Sequence, residues 1–153
     1  GNVITESVVV DREDSYGVIS TEKKDSSGVA IDQAALLVSG GRGIKSEADF
    51  GMLDELAQLL GGQVAASRPP VDMGWLPHEQ QIGQSGTAVK PDHIINVGIS
   101  GSVQYEVGMQ NSGCIISINH NPDAPIFAIS NYGVVGDYRS IVPAIIAEIK
   151  KRK

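Results

Sequence analysis

Leu36-Leu37-Val38-Ser39-Gly40-Gly41-Arg42-Gly43-Ile44-Lys45-Ser46 reads as a strand, a glycine turn and the start of a helix. Ala34 to Val38 is an apolar run with no polar break, the pattern of a strand covered on both faces. The glycines that follow allow a tight turn and close approach of a ligand. Ser46 is placed to cap the helix, with Asp49 three residues on as a weaker form of the Glu/Gln capping box. A helix start leaves backbone N–H groups free, which suits an anion such as phosphate, and Arg42 adds a fixed charge with planar donors. A plain strand-to-helix turn is the other reading of the same residues, since many α/β loops use glycine in this way.

Working outward, Phe50, Leu53, Leu56, Ala57 and Leu60 recur at helical spacing, and Gly61-Gly62 ends the helix. Val64-Ala65-Ala66 is a short strand. Ser67 to Gly86 holds Pro69, Pro70, Pro77 and three glycines, so a long irregular loop is expected, anchored to the core by Trp75. Ile94-Ile95-Asn96-Val97 is a strand, followed by a second glycine turn, Gly98-Ile99-Ser100-Gly101-Ser102, and a short helix over Val103 to Met109. Cys114 to Ile118 and Ile126 to Ile129 read as two further buried strands. Ile141, Val142, Ile145, Ile146 and Ile149 form the apolar stripe of a last helix, with Lys150 to Lys153 at its C-terminal end. The rhythm is β-α-β-loop-β-α-β-β-α, an α/β architecture with a mainly parallel sheet. Ligands of such sheets bind outside the carboxyl ends of the strands, where each glycine and serine cluster falls. Upstream, Thr21 to Gly28 is polar, and a domain edge is expected near residue 28, giving an N-terminal segment or linker over 1–28 and a folded domain over 29–153.

The totals narrow the function classes. The chain has 153 residues, 41% hydrophobic and 20% charged, the composition of a folded domain rather than a disordered one. Its net charge of -6 leaves no basic excess for nucleic-acid phosphates, and aromatic content of 5% leaves no stacking platform for single strands. No apolar run is long enough to cross a membrane. The single cysteine, Cys114, sits in an apolar run and reads as an inert core residue. Residues 1–15 are mixed and acidic rather than signal-like, so a cytoplasmic compartment is expected.

Several motifs fail on inspection. Gly98-Ile99-Ser100-Gly101-Ser102 comes near the G-x-S-x-G nucleophile elbow, but its second glycine stands one place early. Neither glycine turn matches G-x-G-x-x-G or the P-loop. His78, His93 and His120 lack metal-ligand spacing and read as loop or surface residues. What remains are small polar groups and two arginines, Arg42 and Arg68, on strand-end loops. They suit a phosphate-bearing cofactor. With no acid–base pair among them, the chemistry would be the cofactor's own.

Six stretches then come in one order: Val38-Ser39-Gly40-Gly41-Arg42-Gly43; Ala66-Ser67-Arg68 with Val71-Asp72; Ile82-Gly83-Gln84-Ser85-Gly86; Val97-Gly98-Ile99-Ser100-Gly101-Ser102-Val103-Gln104; Ile118-Asn119 with Pro122-Asp123-Ala124-Pro125-Ile126-Phe127; and Tyr132-Gly133-Val134-Val135-Gly136-Asp137. With them the chain resembles the C-terminal, FAD-binding domain of electron transfer flavoprotein alpha subunits, over roughly residues 34–147. Residues 1–28 show no such match. The resemblance implies a doubly wound, Rossmann-like domain with helices on both sheet faces. It implies FAD as cofactor and an electron carrier rather than a catalyst of substrate turnover. It implies three partners: a beta subunit, an electron-donating dehydrogenase and a downstream acceptor. Carried over by position, Arg42, Ser67, Arg68, Ile82, Gly83, Gln84, Ser85, Ser100, Gly101, Ser102, Val103, Gln104, Asn119 and Asp137 would contact FAD. The residue matching Arg68 lies by the isoalloxazine ring, that matching Ser85 bonds its N5, and the Ser100 loop holds phosphate.

Tyr105 and Tyr138 complete the expected cofactor set as departures from the family pattern. The family commonly has His where Tyr105 stands, close to the flavin O2, and Leu where Tyr138 stands. Tyr105 would offer a neutral hydrogen bond in place of an imidazolium, or turn away and cover its helix. A non-redox nucleotide-binding or protein-interaction module on the same fold is the other functional reading.

Overall fold

A computed structural model of the chain describes residues 30–153. The N-terminal segment and the domain edge expected near residue 28 lie outside the described residues. Five strands, β1 (Leu36–Gly40), β2 (Gln63–Ala66), β3 (His93–Val97), β4 (Cys114–Asn119) and β5 (Tyr132–Val135), form one all-parallel sheet in the order β2-β1-β3-β4-β5. The helices are α1 (Phe50–Leu60), α2 (Arg68–Asp72), α3 (Val103–Met109) and α4 (Tyr138–Arg152).

Alternation along the strands builds two cores. Val38, Val64, Ile95 and Val97 point to one face and meet Phe50, Leu53 and Leu56 of α1 and Val142 and Ile146 of α4. Leu37, Ala65, Ile94 and Ile115 point to the other and meet Tyr105 and Met109 of α3. Helices therefore cover both faces, which is why β1 and β3 carry apolar residues at successive positions. α1 stops at Gly61, which adopts φ +72° and lets the Gly61 and Gly62 amides close on Gln58 and Ala57 carbonyls.

Four sequence expectations need correction. Strand β1 begins at Leu36, two residues later than the apolar run suggested, and ends at Gly40. Ser46 precedes a short 3₁₀ turn, Glu47–Asp49, and its side chain makes no capping bond; nor does Asp49 cap α1. Its carboxylate instead accepts from Tyr138 and Arg139 across the molecule. The loop from Ser67 to Gly86 contains the five-residue helix α2, which uses Pro69 and Pro70 in its first turn, where a missing N–H costs nothing. Trp75 does anchor this region, edge-on to Phe50 with ring centroids 6.0 Å apart. Last, Ile126–Ile129 is not a strand. Pro125–Ile129 is a 3₁₀ turn that drives Ile126 into the α3-side core, and the fifth strand is Tyr132–Val135.

Candidate functional site

The sheet order reverses direction at the β1/β3 boundary, since β1 leads by α1 to β2 on one side and β3 by α3 to β4 on the other. A crevice forms at the carboxyl ends there. The two glycine turns line it and touch. Gly41 and Gly43 amides donate to Val97 and Gly98 carbonyls, both at 2.9 Å. Gly98 has φ +65°, and a Cβ on it would stand 3.0 Å from the Gly43 Cα, so glycine is required on both counts. Beyond Gly98, the amides of Ser100, Gly101 and Ser102 have no partner among the hydrogen bonds of the described residues, and the first-turn amides of α3 follow them.

Two adjacent clefts flank these turns. The larger, about 690 Å³, lies toward α2 and α3. It gathers Arg42, Ser67, Arg68, Ile82, Gly83, Gln84, Ser85, Ser100, Ser102, Gln104 and Tyr105 from the expected set. The smaller, about 310 Å³, lies toward α4 and gathers Asn119, Asp137 and Tyr138 with Gly43 and Gly98. Gly101 and Val103 line neither: Gly101 is packed against the Ile126 backbone, and Val103 is exposed on α3.

Inside the larger cleft, Arg68 is the first residue of α2 and is exposed, paired with Asp72 through its Nε at 3.1 Å. Ser85 Oγ accepts from Gln81 Nε2 at 3.0 Å. The Gln84 amide donates to the Gln104 carbonyl at 2.8 Å, which ties the 81–86 wall to the start of α3. In the smaller cleft, Asn119 is engaged twice: its Nδ2 donates to the Ile99 carbonyl at 2.8 Å and its Oδ1 accepts the Asn121 amide at 2.9 Å. Asp137 caps α4 by accepting the Arg139 amide at 2.9 Å.

Tyr105 lines the larger cleft, but its hydroxyl is directed into the sheet. It lies 2.7 Å from Asn96 Oδ1 and 2.9 Å from Ser39 Oγ. An amide oxygen only accepts and a phenol has one proton, so Tyr105 donates to Asn96 and accepts from Ser39. Asn96 Nδ2 passes on to Ser117 Oγ at 3.3 Å, and Ser117 meets Ser130 at 2.7 Å. Ser39, Asn96 and Ser117 are register partners on β1, β3 and β4, all fully buried beneath α3. Burial pushes the Tyr105 phenol well above the ordinary tyrosine range, with the Ser39 hydrogen bond opposing weakly. The hydroxyl expected at a flavin is thus held by the protein itself, and the geometry is that of a tyrosine turned away.

Tyr138 is also held internally. Its hydroxyl accepts the Lys45 amide at 2.9 Å and donates to Asp49 Oδ2 at 2.6 Å, while Arg139 Nη2 reaches the same oxygen at 3.1 Å. The Tyr138 hydrogen bond and the Arg139 guanidinium hold the Asp49 carboxyl below its usual range. Lys45, His120, Arg139 and Gln81 line the clefts and were missed in the sequence. His120 and Arg139 each adjoin a residue of the expected set, Asn119 and Tyr138, and that adjacency was the only available signal.

The family model described as the electron transfer flavoprotein FAD-binding domain matches residues 30–110. The electron transfer flavoprotein subunit alpha of Thermoanaerobacterium thermosaccharolyticum is 48% identical over 89% of this chain and 41% of its own length. The Bacillus subtilis protein of the same name is 46% identical over 84% of this chain and 40% of its own. The LctC subunit of the lactate dehydrogenase (NAD(+),ferredoxin) of Acetobacterium woodii is 46% identical over 83% of this chain and 30% of its own. The chain thus spans about two fifths or less of the length of these relatives. From the breadth of this agreement, the chain belongs to the electron transfer flavoprotein alpha-subunit family, in the region described as its FAD-binding domain.

Proposed function

We propose that the chain binds FAD across the two clefts and carries electrons from a dehydrogenase to a downstream acceptor, in company with a beta subunit and in the cytoplasm. One observation carries this reading. The residues that the family resemblance places around FAD, scattered from Arg42 to Tyr138 in sequence, line two adjoining clefts on either side of touching glycine turns, Gly101 and Val103 excepted. An extended dinucleotide needs that arrangement: a middle for its phosphates and a cleft for each end.

The residues present fit the cofactor. The amides of Ser100 to Ser102, without a partner among the described residues, and the Arg42 guanidinium offer donors and charge for the pyrophosphate. The larger cleft has the volume for a ring system and presents Arg68 and Ser85 to it. FAD supplies the redox chemistry when bound. The chain's residues bind it, orient it and set the charge around it. The described residues contain no group of three or more His, Cys, Asp or Glu that could hold a metal, and no helix long and apolar enough to cross a membrane.

Two measurements test the proposal. The chain incubated with FAD and desalted should retain flavin absorption bands; a colourless protein rejects the carrier role. Arg68→Ala should then lower the first reduction potential, because the arginine favours negative charge on a reduced ring. Arg68 is exposed and shared with Asp72. Such a charge is worth about 0.5–1 kcal/mol, which corresponds to roughly 20–40 mV at about 59 mV per tenfold for one electron. Equal potentials in parent and variant remove Arg68 from the flavin's surroundings.

A further inference from the structure

We propose that Tyr138 is a positioning residue whose hydroxyl latches the loop after β1 to the head of α4 and thereby sets the width of the smaller cleft. The inference rests on the reading of that cleft as one end of an FAD site. It starts from how the loop is held. Gly41 and Gly43 amides are fixed from the β3 side, by Val97 and Gly98 carbonyls, and the Ile44 amide closes on Gly41 within the loop. The next amide, Lys45, is the one held from the opposite side, by the Tyr138 hydroxyl at 2.9 Å. The loop is therefore clamped between β3 and α4.

The geometry makes this clamp rigid. Tyr138 is only 7% exposed, packed in the α1–α4 core, so its hydroxyl sits at a fixed point. That oxygen donates to Asp49 at the far end of the same β1–α1 connection, and Arg139, next to Tyr138, reaches the same carboxylate. Two points of the connection, Lys45 and Asp49, are thus tied to two successive residues of α4. The smaller cleft opens between the parts so joined, with Gly43 and Lys45 on one side, Asp137 and Tyr138 on the other, and Gly98 and Asn119 between them. A loop carrying Gly41 and Gly43 has much backbone freedom to lose on binding. A latch that removes this freedom beforehand raises affinity without touching the ligand.

Tyr138→Phe keeps the ring and its packing and deletes only the hydroxyl. Hydrogen exchange of the Lys45 amide should quicken about five- to tenfold, the equilibrium value of one hydrogen bond, with the β3 and β4 amides unchanged. The Kd for FAD, by flavin fluorescence titration on the 153-residue chain, should rise by a similar factor. Asp49→Ala removes the acceptor on the far side, outside the core, and should move both readouts the same way. Lys45 exchange at the parent's rate in both variants overturns the latch. Faster exchange with unchanged FAD affinity overturns its positioning role. A parent chain that binds no FAD overturns the site reading and the positioning role with it, while the exchange rates alone still decide whether the hydroxyl holds the loop.

Discussion

Tyr105 shows what a single side chain contributes when its polar end is buried. Its hydroxyl has a donor, Ser39, and an acceptor, Asn96, and all three groups are shut away from water. Tyr105→Phe leaves two buried polar groups short of a partner, at a cost of about 1–3 kcal/mol. Chemical denaturation of parent and variant measures it; a loss under about half a kcal/mol would mean that Ser39 and Asn96 re-pair without the phenol. The variant also has a pH signature. The folded-state pKa is raised above the unfolded value of about 10. Above that value the unfolded chain releases the proton and the folded chain retains it, so stability is full below about pH 10 and falls as pH rises through the folded pKa. Tyr105→Phe should flatten that alkaline slope. Of the residues the sequence placed around a cofactor, all but Gly101 and Val103 line one of the two clefts, but the sequence does not say which way they face. Ser39, Asn96 and Ser117 each sit in an apolar run with no local sign that register aligns them into one polar row under Tyr105.

Among the elements, the loops that hold the site depend on two glycine turns in contact. Gly98→Ala would place a side chain at φ +65° and put its Cβ 3.0 Å from the Gly43 backbone. The left-handed conformation alone costs roughly 1–2 kcal/mol, and the crowding adds to it. The variant should unfold at lower denaturant and bind FAD more weakly, since the displaced neighbour belongs to the Arg42 loop; unchanged stability would show that the two turns separate without penalty. The same elements explain what sequence reading found and missed. The fold class, β1 to β4 and the three longer helices were legible because each is an apolar run or a helical stripe ended by glycine or a polar turn. The fifth strand was not. Ile126, Phe127 and Ile129 are apolar because they cover the α3 side of the sheet, and Pro125 starts their turn. Tyr132–Val135 is an edge strand exposed along its whole length, so no burial pattern marks it. Ser46 and Asp49 looked like a cap by spacing, but the carboxylate is taken by Tyr138, 89 residues away, a partner that no local pattern announces.

For the molecule as a whole, two clefts on one crevice imply that a ligand engaging both should bind better than either half of it. The alternative, a module that takes only an adenine nucleotide, needs one cleft. Thermal unfolding separates the two. A ligand at about 100 times its Kd adds about 2.7 kcal/mol to stability, and each kcal/mol moves the midpoint roughly 2–4 °C in a chain of this size, so FAD should raise Tm by about 5–11 °C. FMN carries the ring and one phosphate; ADP carries the adenosine and the diphosphate. Each should give a clearly smaller shift than FAD at equal concentration, because each leaves one cleft and part of the loop amides unfilled. An ADP shift equal to that of FAD would show that the larger cleft, with Arg68 and Ser85, takes no part, and would favour the module. An FMN shift equal to that of FAD would instead remove Asn119, Asp137 and the smaller cleft from the site. Only a shift with FAD beyond both halves fits a dinucleotide laid across the point where the sheet reverses, with its phosphates over the glycine turns.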